Sequence, residues 1–461
     1  MSMATTAGPV RPAKAAPIRD GVDVLAAQAA EFASGLAGPP WLTRLRRDGL
    51  AAFTRAGFPS LHDEDWRYTN LLPLARTVFG LAPRDVTIAE RTQAVELEAR
   101  LGTLGLSSPG PRLVFVNGRL VRRTAHTLPP EILFENLATV LRLAPDRVEK
   151  ALVTAPTAHP FVALNDAFLD TGALVNVGAG LAAPQPLVVL HVSTSASGTP
   201  APLMSHLRNL LVLGENAAAT VVEIYLGADE LSFTNAVTQA VLGENARLTH
   251  VKVQLEGRQA FHVGNLFLSH ARGARSASHV YSFGGASVRN EISATLSGEG
   301  SGTELYGLFA ATSGQHVDCH TLIDHAAPHA DSLELYKGIL DGSGRGAFDG
   351  KIVVRAGAVK TDARQTNRNL ILSNEALVDS KPQLEIHNND VRCSHGSTTG
   401  RIDADALFYL RSRGLSEGAA RALLTYAFGS EVVSKVAAQD VRALLEDRLH
   451  AWLPADESVN S

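Results

Sequence analysis

The chain has 461 residues, 45% of them hydrophobic and 19% charged, with a formal net charge of −4. This is ordinary globular composition with ample material for a large core, and the mild acidity gives no electrostatic reason to expect nucleic acid or an anionic membrane surface as a partner. Two cysteines cannot build a disulfide framework, so a cytoplasmic, reducing setting is expected, and no apolar run approaches the roughly 20 residues of a membrane span.

Residues 1–21, rich in Ala and Pro, lack the continuous apolar core of a secretory signal and read as a disordered leader, with an organelle transit peptide as the alternative. From Val22 the apolar residues recur at helical spacing, as in Leu25 and Ala29 and then Trp41, Leu42, Leu45 and Leu50, with Pro39 and Pro40 separating two helices. A helical domain is expected over 22–110. Beyond it the pattern shortens to β-rich runs punctuated by glycine, beginning with a hairpin signal at Asn117 and Gly118, and a β core is expected over 111–395. The helical period returns over 396–461, with Ser416 placed to cap a helix that carries an apolar stripe of Leu423, Leu424, Ala427 and Phe428.

The β zone repeats itself. VLGENA at 212–217 recurs at 241–246, and ELYGL beginning at Glu304 is echoed by ELYKG beginning at Glu334. Repetition at about 30 residues, with glycines at corners, favours stacked turns of a parallel β-helix over a sandwich. Such a fold has open ends, whose unpaired backbone edges must be capped or paired with another chain.

Two polar constellations stand out. On an extended strand His316, Asp318 and His320 share one face, with His325 and His329 following across a turn at Pro328; this is either a metal site or a ladder of polar side chains on the sheet. Cys319 points the other way, as a small buried hydrophobe. Nearer the C-terminus, Cys393 and His395 sit two residues apart and present a thiolate and an imidazole side by side, a soft donor pair suited to a metal or an iron-sulfur fragment. A thiolate-held cluster needs about four ligands, so this pair is half a site. GRGAFDGKI at 344–352 is not a phosphate loop, because Arg345 occupies the required glycine position and Ile352 stands where a Ser or Thr is needed. Carboxylates such as Glu223, Glu256, Asp349 and Glu385 are scattered through the β zone, so a stand-alone β-helix metal-dependent enzyme using the His316–His320 cluster is the alternative reading.

The runs HVDCHTLIDHAAPH, ELYKGILDGSGRGAFDGKIVV, KTDARQTNRNLILS, PQLEIHNNDVRCSHGSTTG and DALFYLRSRGL, together with EDWRYT at 64–69, resemble the SufB/SufD family of iron-sulfur cluster assembly proteins. The Cys-Ser-His-Gly run at 393–396, and the lack of any cysteine between Cys319 and Cys393, resemble the SufD branch. The resemblance implies a right-handed parallel β-helix flanked by N- and C-terminal α-helical domains. It implies a non-enzymatic scaffold in a SufBCD complex: a heterodimer with a SufB-like subunit, with two copies of a SufC-like ATPase supplying the ATPase activity. Cys393 and His395 would then sit at the SufB interface and assist iron acquisition and formation of a transient, nascent iron-sulfur cluster. The helices after Ile402 would dock the SufC-like ATPase, with Leu423, Leu424 and Phe428 as the partner-binding stripe. The family complex is also expected to bind reduced flavin, with no residue assigned to it here.

Overall fold

The computed structural model describes residues 18–453 apart from 37, 84, 103–109, 125–127, 153–158 and 196–200, so most of the expected leader lies outside the described residues. The VLGENA repeat explains the architecture. Along one edge of the molecule each turn passes a corner where a single residue takes a left-handed backbone: Asn216 (φ 56°), Asn245 (φ 57°), Gly273 (φ 65°), Gly300 (φ 66°), His329 (φ 57°) and Lys360 (φ 61°). Asparagine and glycine tolerate that conformation best, which is why the motif recurs. The corner N–H of one turn donates to a carbonyl of the next, Asn216 to Glu244 at 2.8 Å, Asn245 to Arg272 at 2.9 Å, His329 to Val359 at 2.9 Å and Lys360 to Asp390 at 2.7 Å. The corners therefore stack as a ladder, and the period of the sequence is the length of one turn.

Between corners, successive strands alternate between two 10-stranded sheets. The first sheet ends with His316–His325, Arg345–Val354 and Leu377–Ile386, and the second with Asp331–Leu340, Asp362–Ile371 and Arg392–Gly400, all paired in parallel and in register. The core is a parallel β-solenoid of about seven turns. Because side chains alternate along a strand, every second residue enters the lumen, where Val221, Leu248, Leu266, Val288, Leu305, Val317, Phe348 and Ile352 are buried. Each such side chain contributes about 1.5–3 kcal/mol.

The start of the solenoid departs from a simple stack. Arg112–Val116 and Arg119–Thr124 form an antiparallel hairpin, turned at Asn117 (φ 47°) and Gly118 (φ 78°) as the dipeptide predicts. Three short helices, Leu137–Leu143, Asp146–Leu152 and Pro160–Ala167, interrupt the stretch read from sequence as β core. The last is buried along nearly its whole length, and Gly49 of the Pro40–Ala56 helix lets the two approach: a Cβ there would lie 2.7 Å from the Ala163 carbonyl oxygen. Phe53, Phe58, Trp66, Phe161, Phe233 and Val263 form one apolar cluster that fixes the N-terminal helices to the first sheet.

At the C-terminal side, the Glu417–Val433 and Gln439–Trp452 helices fold back onto the outer face of the second sheet. Val432, Val433, Val436, Leu444, Leu445 and Leu449 pack with Val251, Val253, Tyr281, Leu308 and Ile339. The Ser416 hydroxyl caps the first of these helices, accepting from the Ala419 N–H at 3.1 Å. The final strand runs to Gly400, past residue 395 where the core was expected to end, so Cys393 and His395 both lie within the sheet. Among the described residues that strand pairs only with Asp362–Ile371, and Leu377–Ile386 only with Arg345–Val354. The solenoid is left open at this end.

Candidate functional site at the open end of the solenoid

Register decides which way Cys393 and His395 face. Cys393 lies opposite Ala363 and His395 opposite Gln365, and both of those residues are buried. Cys393 packs against the lumen cluster, and two rungs along the same row the Ser397 hydroxyl meets that of Ser380 across the lumen at 2.8 Å. The row Cys393, His395, Ser397, Thr399 is thus the continuation of the inward row, but among the described residues no further turn covers it. Residues that would be core one turn earlier stand at the surface: Cys393 is half-buried and His395 exposed. The two donors sit on one face of one strand, as their spacing predicts.

Partial burial pushes the Cys393 thiol above its usual range, and the nearby Asp362 carboxylate adds to this, while a backbone bond from Ala363 opposes it. At neutral pH this favours the thiol in the isolated chain, and ligation of a metal by the sulfur would release that proton to solvent. Beneath the open row lies a polar column. Glu334, Gln365 and His395 occupy one register position on three successive strands of the second sheet. The Gln365 side-chain N–H donates to Glu334 Oε2 at 2.7 Å, and burial raises the Glu334 carboxyl to about 7 despite that bond.

The other candidates are placed elsewhere. Cys319 is buried in the lumen of the opposite sheet, beneath Phe348 and then Ser380 in register, and burial pushes its thiol far up; it packs as a small apolar residue and does not join Cys393. His316, Asp318 and His320 do share an outward face, but a cation already stands among them. The buried Arg289 guanidinium donates to Asp318 Oδ2 at 2.5 Å and to Glu291 at 2.6 Å, and lies 3.7 Å over the ring of Trp66. The Thr69 hydroxyl also donates to Asp318, His320 Nε2 lies 3.0 Å from its other oxygen, and His316 Nε2 lies 3.2 Å from Thr69 Oγ1. Burial alone would raise the Asp318 carboxyl, yet His320 and Arg289 hold it well below the carboxylate range. The cluster fastens the EDWRYT segment to the first sheet. His325 turns inward onto the Ser332 hydroxyl at 2.9 Å, and His329 is a corner residue of the turn ladder. Among the described residues no group of three or more His, Cys, Asp or Glu side chains is arranged to hold a metal ion.

The C-terminal stripe divides. Leu423 is 46% exposed, Leu424 is intermediate, and Phe428 turns toward the solenoid, with the Lys337 ammonium 4.3 Å from its ring centre. The Ala404–Ser412 helix, which packs against the Glu417–Val433 helix, buries no residue and holds Phe408 at 74% and Tyr409 at 56% exposure. Periodicity passed over these two aromatics because their helix is short. Consecutive aromatics followed by Arg411 and Arg413 were the available signal. Arg289 was also passed over, since a lone arginine inside a β run carries no local sign of being buried.

Residues 192–428 match the SufBD core domain of the SUF system of iron-sulfur cluster assembly, and residues 36–189 match the SufBD N-terminal region. The chain is similar to the iron-sulfur cluster assembly protein SufD of Escherichia coli, 32% identical over 88% of this chain and 92% of that protein. A SufBD family protein of Synechocystis is 30% identical over 82% of this chain and 84% of its own length, and SufD of Bacillus subtilis is 25% identical over 68% and 72%. With both family regions matched in order on a parallel β-solenoid, and with SufD proteins among its relatives, the chain belongs to the SufBD family of iron-sulfur cluster assembly proteins and is SufD-like within it.

Proposed function

We propose that this chain is a non-enzymatic scaffold subunit whose open solenoid end pairs with a SufB-like chain, forming a shared site where iron and sulfide are acquired as cargo. The observation that carries this reading is the exposed inward row: a soft donor pair, Cys393 and His395, stands on an uncovered edge strand, with too few ligands of its own to close a site. An unpaired parallel edge is a template for another chain, and pairing there would bring the partner's side chains over the two donors. Covering the end would also exclude water from the nascent cluster. The exposed surface of Phe408, Tyr409 and Leu423 supports docking of a SufC-like ATPase on the C-terminal helices, whose cycle would open and close the shared end. In a reducing cytoplasm Cys393 would remain free for this use. Reduced flavin would bind to the assembled complex. Sedimentation of this chain mixed with a SufB-like partner tests the pairing. A heterodimer is expected, and a stable homodimer persisting in the presence of the partner would overturn it.

A further inference from the structure

The lumen column beneath His395 contains an acceptor with nothing to accept. The Gln365 carboxamide is buried, its nitrogen is engaged by Glu334 of the preceding turn, and its oxygen has no hydrogen-bond partner. A buried amide oxygen left unpaired costs about 1–3 kcal/mol, so the arrangement calls for a donor. The next turn supplies one group in register at this position, the His395 imidazole. Its neighbours in the row confirm the direction in which side chains point here: Cys393 packs on the lumen cluster, and the Thr399 hydroxyl accepts from the Asn369 side chain at 3.4 Å.

Resting on the proposed ligand role of His395, we propose that Gln365 is its positioning residue: the carboxamide oxygen accepts one imidazole N–H and so leaves the other nitrogen, unprotonated, facing the open end for iron. Glu334 acts one step further back by holding the Gln365 nitrogen, which fixes the way the amide points. An imidazole that ligates a metal is oriented by what its second nitrogen meets, and loss of that partner commonly weakens metal binding by 10–100-fold. The Glu334–Gln365 pair therefore does for an exposed histidine what burial does for a core one. It selects a tautomer and a ring orientation before any metal arrives.

The test reads the His395 tautomer in the isolated, full-length chain, by long-range proton–nitrogen correlation with nitrogen-15-labelled histidine, the signal being assigned by its loss in His395→Ala. Wild type should show one fixed tautomer. Gln365→Leu should release it to the averaged pattern of a free imidazole. Because that change strands the Glu334 carboxyl, the double variant Glu334→Leu/Gln365→Leu removes both buried groups and keeps the experiment interpretable should the single variant unfold. Glu334→Gln retains an acceptor for Gln365 and should keep the tautomer fixed. An averaged His395 in wild type, or a fixed one in the folded double variant, overturns the proposal. The ligand role is read separately: in the reconstituted complex the double variant should bind iron about tenfold more weakly. Normal iron loading by His395→Ala would defeat the ligand reading while leaving the tautomer result intact.

Discussion

Replacing Arg289 by Ala removes the guanidinium that sits between the buried Asp318 carboxylate and the Trp66 ring. Asp318 is fully buried and would keep only His320 and the Thr69 hydroxyl, while Glu291 would keep His159. Breaking a buried ion pair by deleting one partner costs about 3–5 kcal/mol, and loss of a desolvated cation–π contact adds about 2 kcal/mol. The penalty falls on the contact between the EDWRYT segment and the first sheet, since solenoid turns depend mainly on their neighbours. Hydrogen exchange over residues 64–69 is the direct assay, and a loss of 3 kcal/mol or more corresponds to at least a hundredfold fall in protection. The pH dependence has a definite sign. The Asp318 carboxyl is held below its ordinary value of 3.8, so its contribution is full above that pH and is lost as the pH falls below it. The wild-type segment should loosen on acidification, and Arg289→Ala should lose part of that dependence, the part held by His320 remaining. Replacing both partners, as Arg289→Met/Asp318→Leu, should recover much of the loss. Protection over 64–69 that stays within about threefold of wild type in Arg289→Ala would refute the reasoning.

Cys393→Ser should shift the stability of the isolated chain by about 1 kcal/mol or less, because its side chain is only half-buried, whereas Cys319→Ser places a hydroxyl in the closed lumen and should cost about 1–3 kcal/mol; urea unfolding separates the two. The Glu334 carboxyl, raised from 4.5 to about 7, binds more protons folded than unfolded, so stability should decline as pH rises through that window, and Glu334→Gln should flatten the decline. Phe408→Ala with Leu423→Ala should weaken capture of a SufC-like ATPase with little change in melting. Removing everything after Gly400 should instead expose Val251, Val253 and Ile339 and promote aggregation, seen by light scattering.

The repeat in VLGENA was legible as a solenoid because Asn216 and Asn245 advertise a left-handed corner that few residues adopt. The same corner is filled by His329 and Lys360 further on, which carry no such signal, and His329 was accordingly grouped with candidate ligands. Spacing alone put Cys393 and His395 on one face, and put His316, Asp318 and His320 on another. What spacing could not supply was the neighbour: Arg289 arrives from the preceding strand of the same sheet, and Trp66 and Thr69 from more than two hundred residues away. Nor could it reveal that the row holding Cys393 is an inward one left uncovered. That depends on where stacking stops, a property of the whole solenoid. Nor does an amphipathic helix with two apolar flanks say which one the sheet takes, and here the sheet takes the Phe428 side.

The most direct test of the shared-site account is the iron and sulfide content of the complex reconstituted from this chain, a SufB-like subunit and a SufC-like ATPase, comparing wild type with Cys393→Ser/His395→Ala. The account predicts an intact complex with most of its iron and sulfide lost, because the two soft donors of the open row are gone. Full loading in the double variant would contradict it.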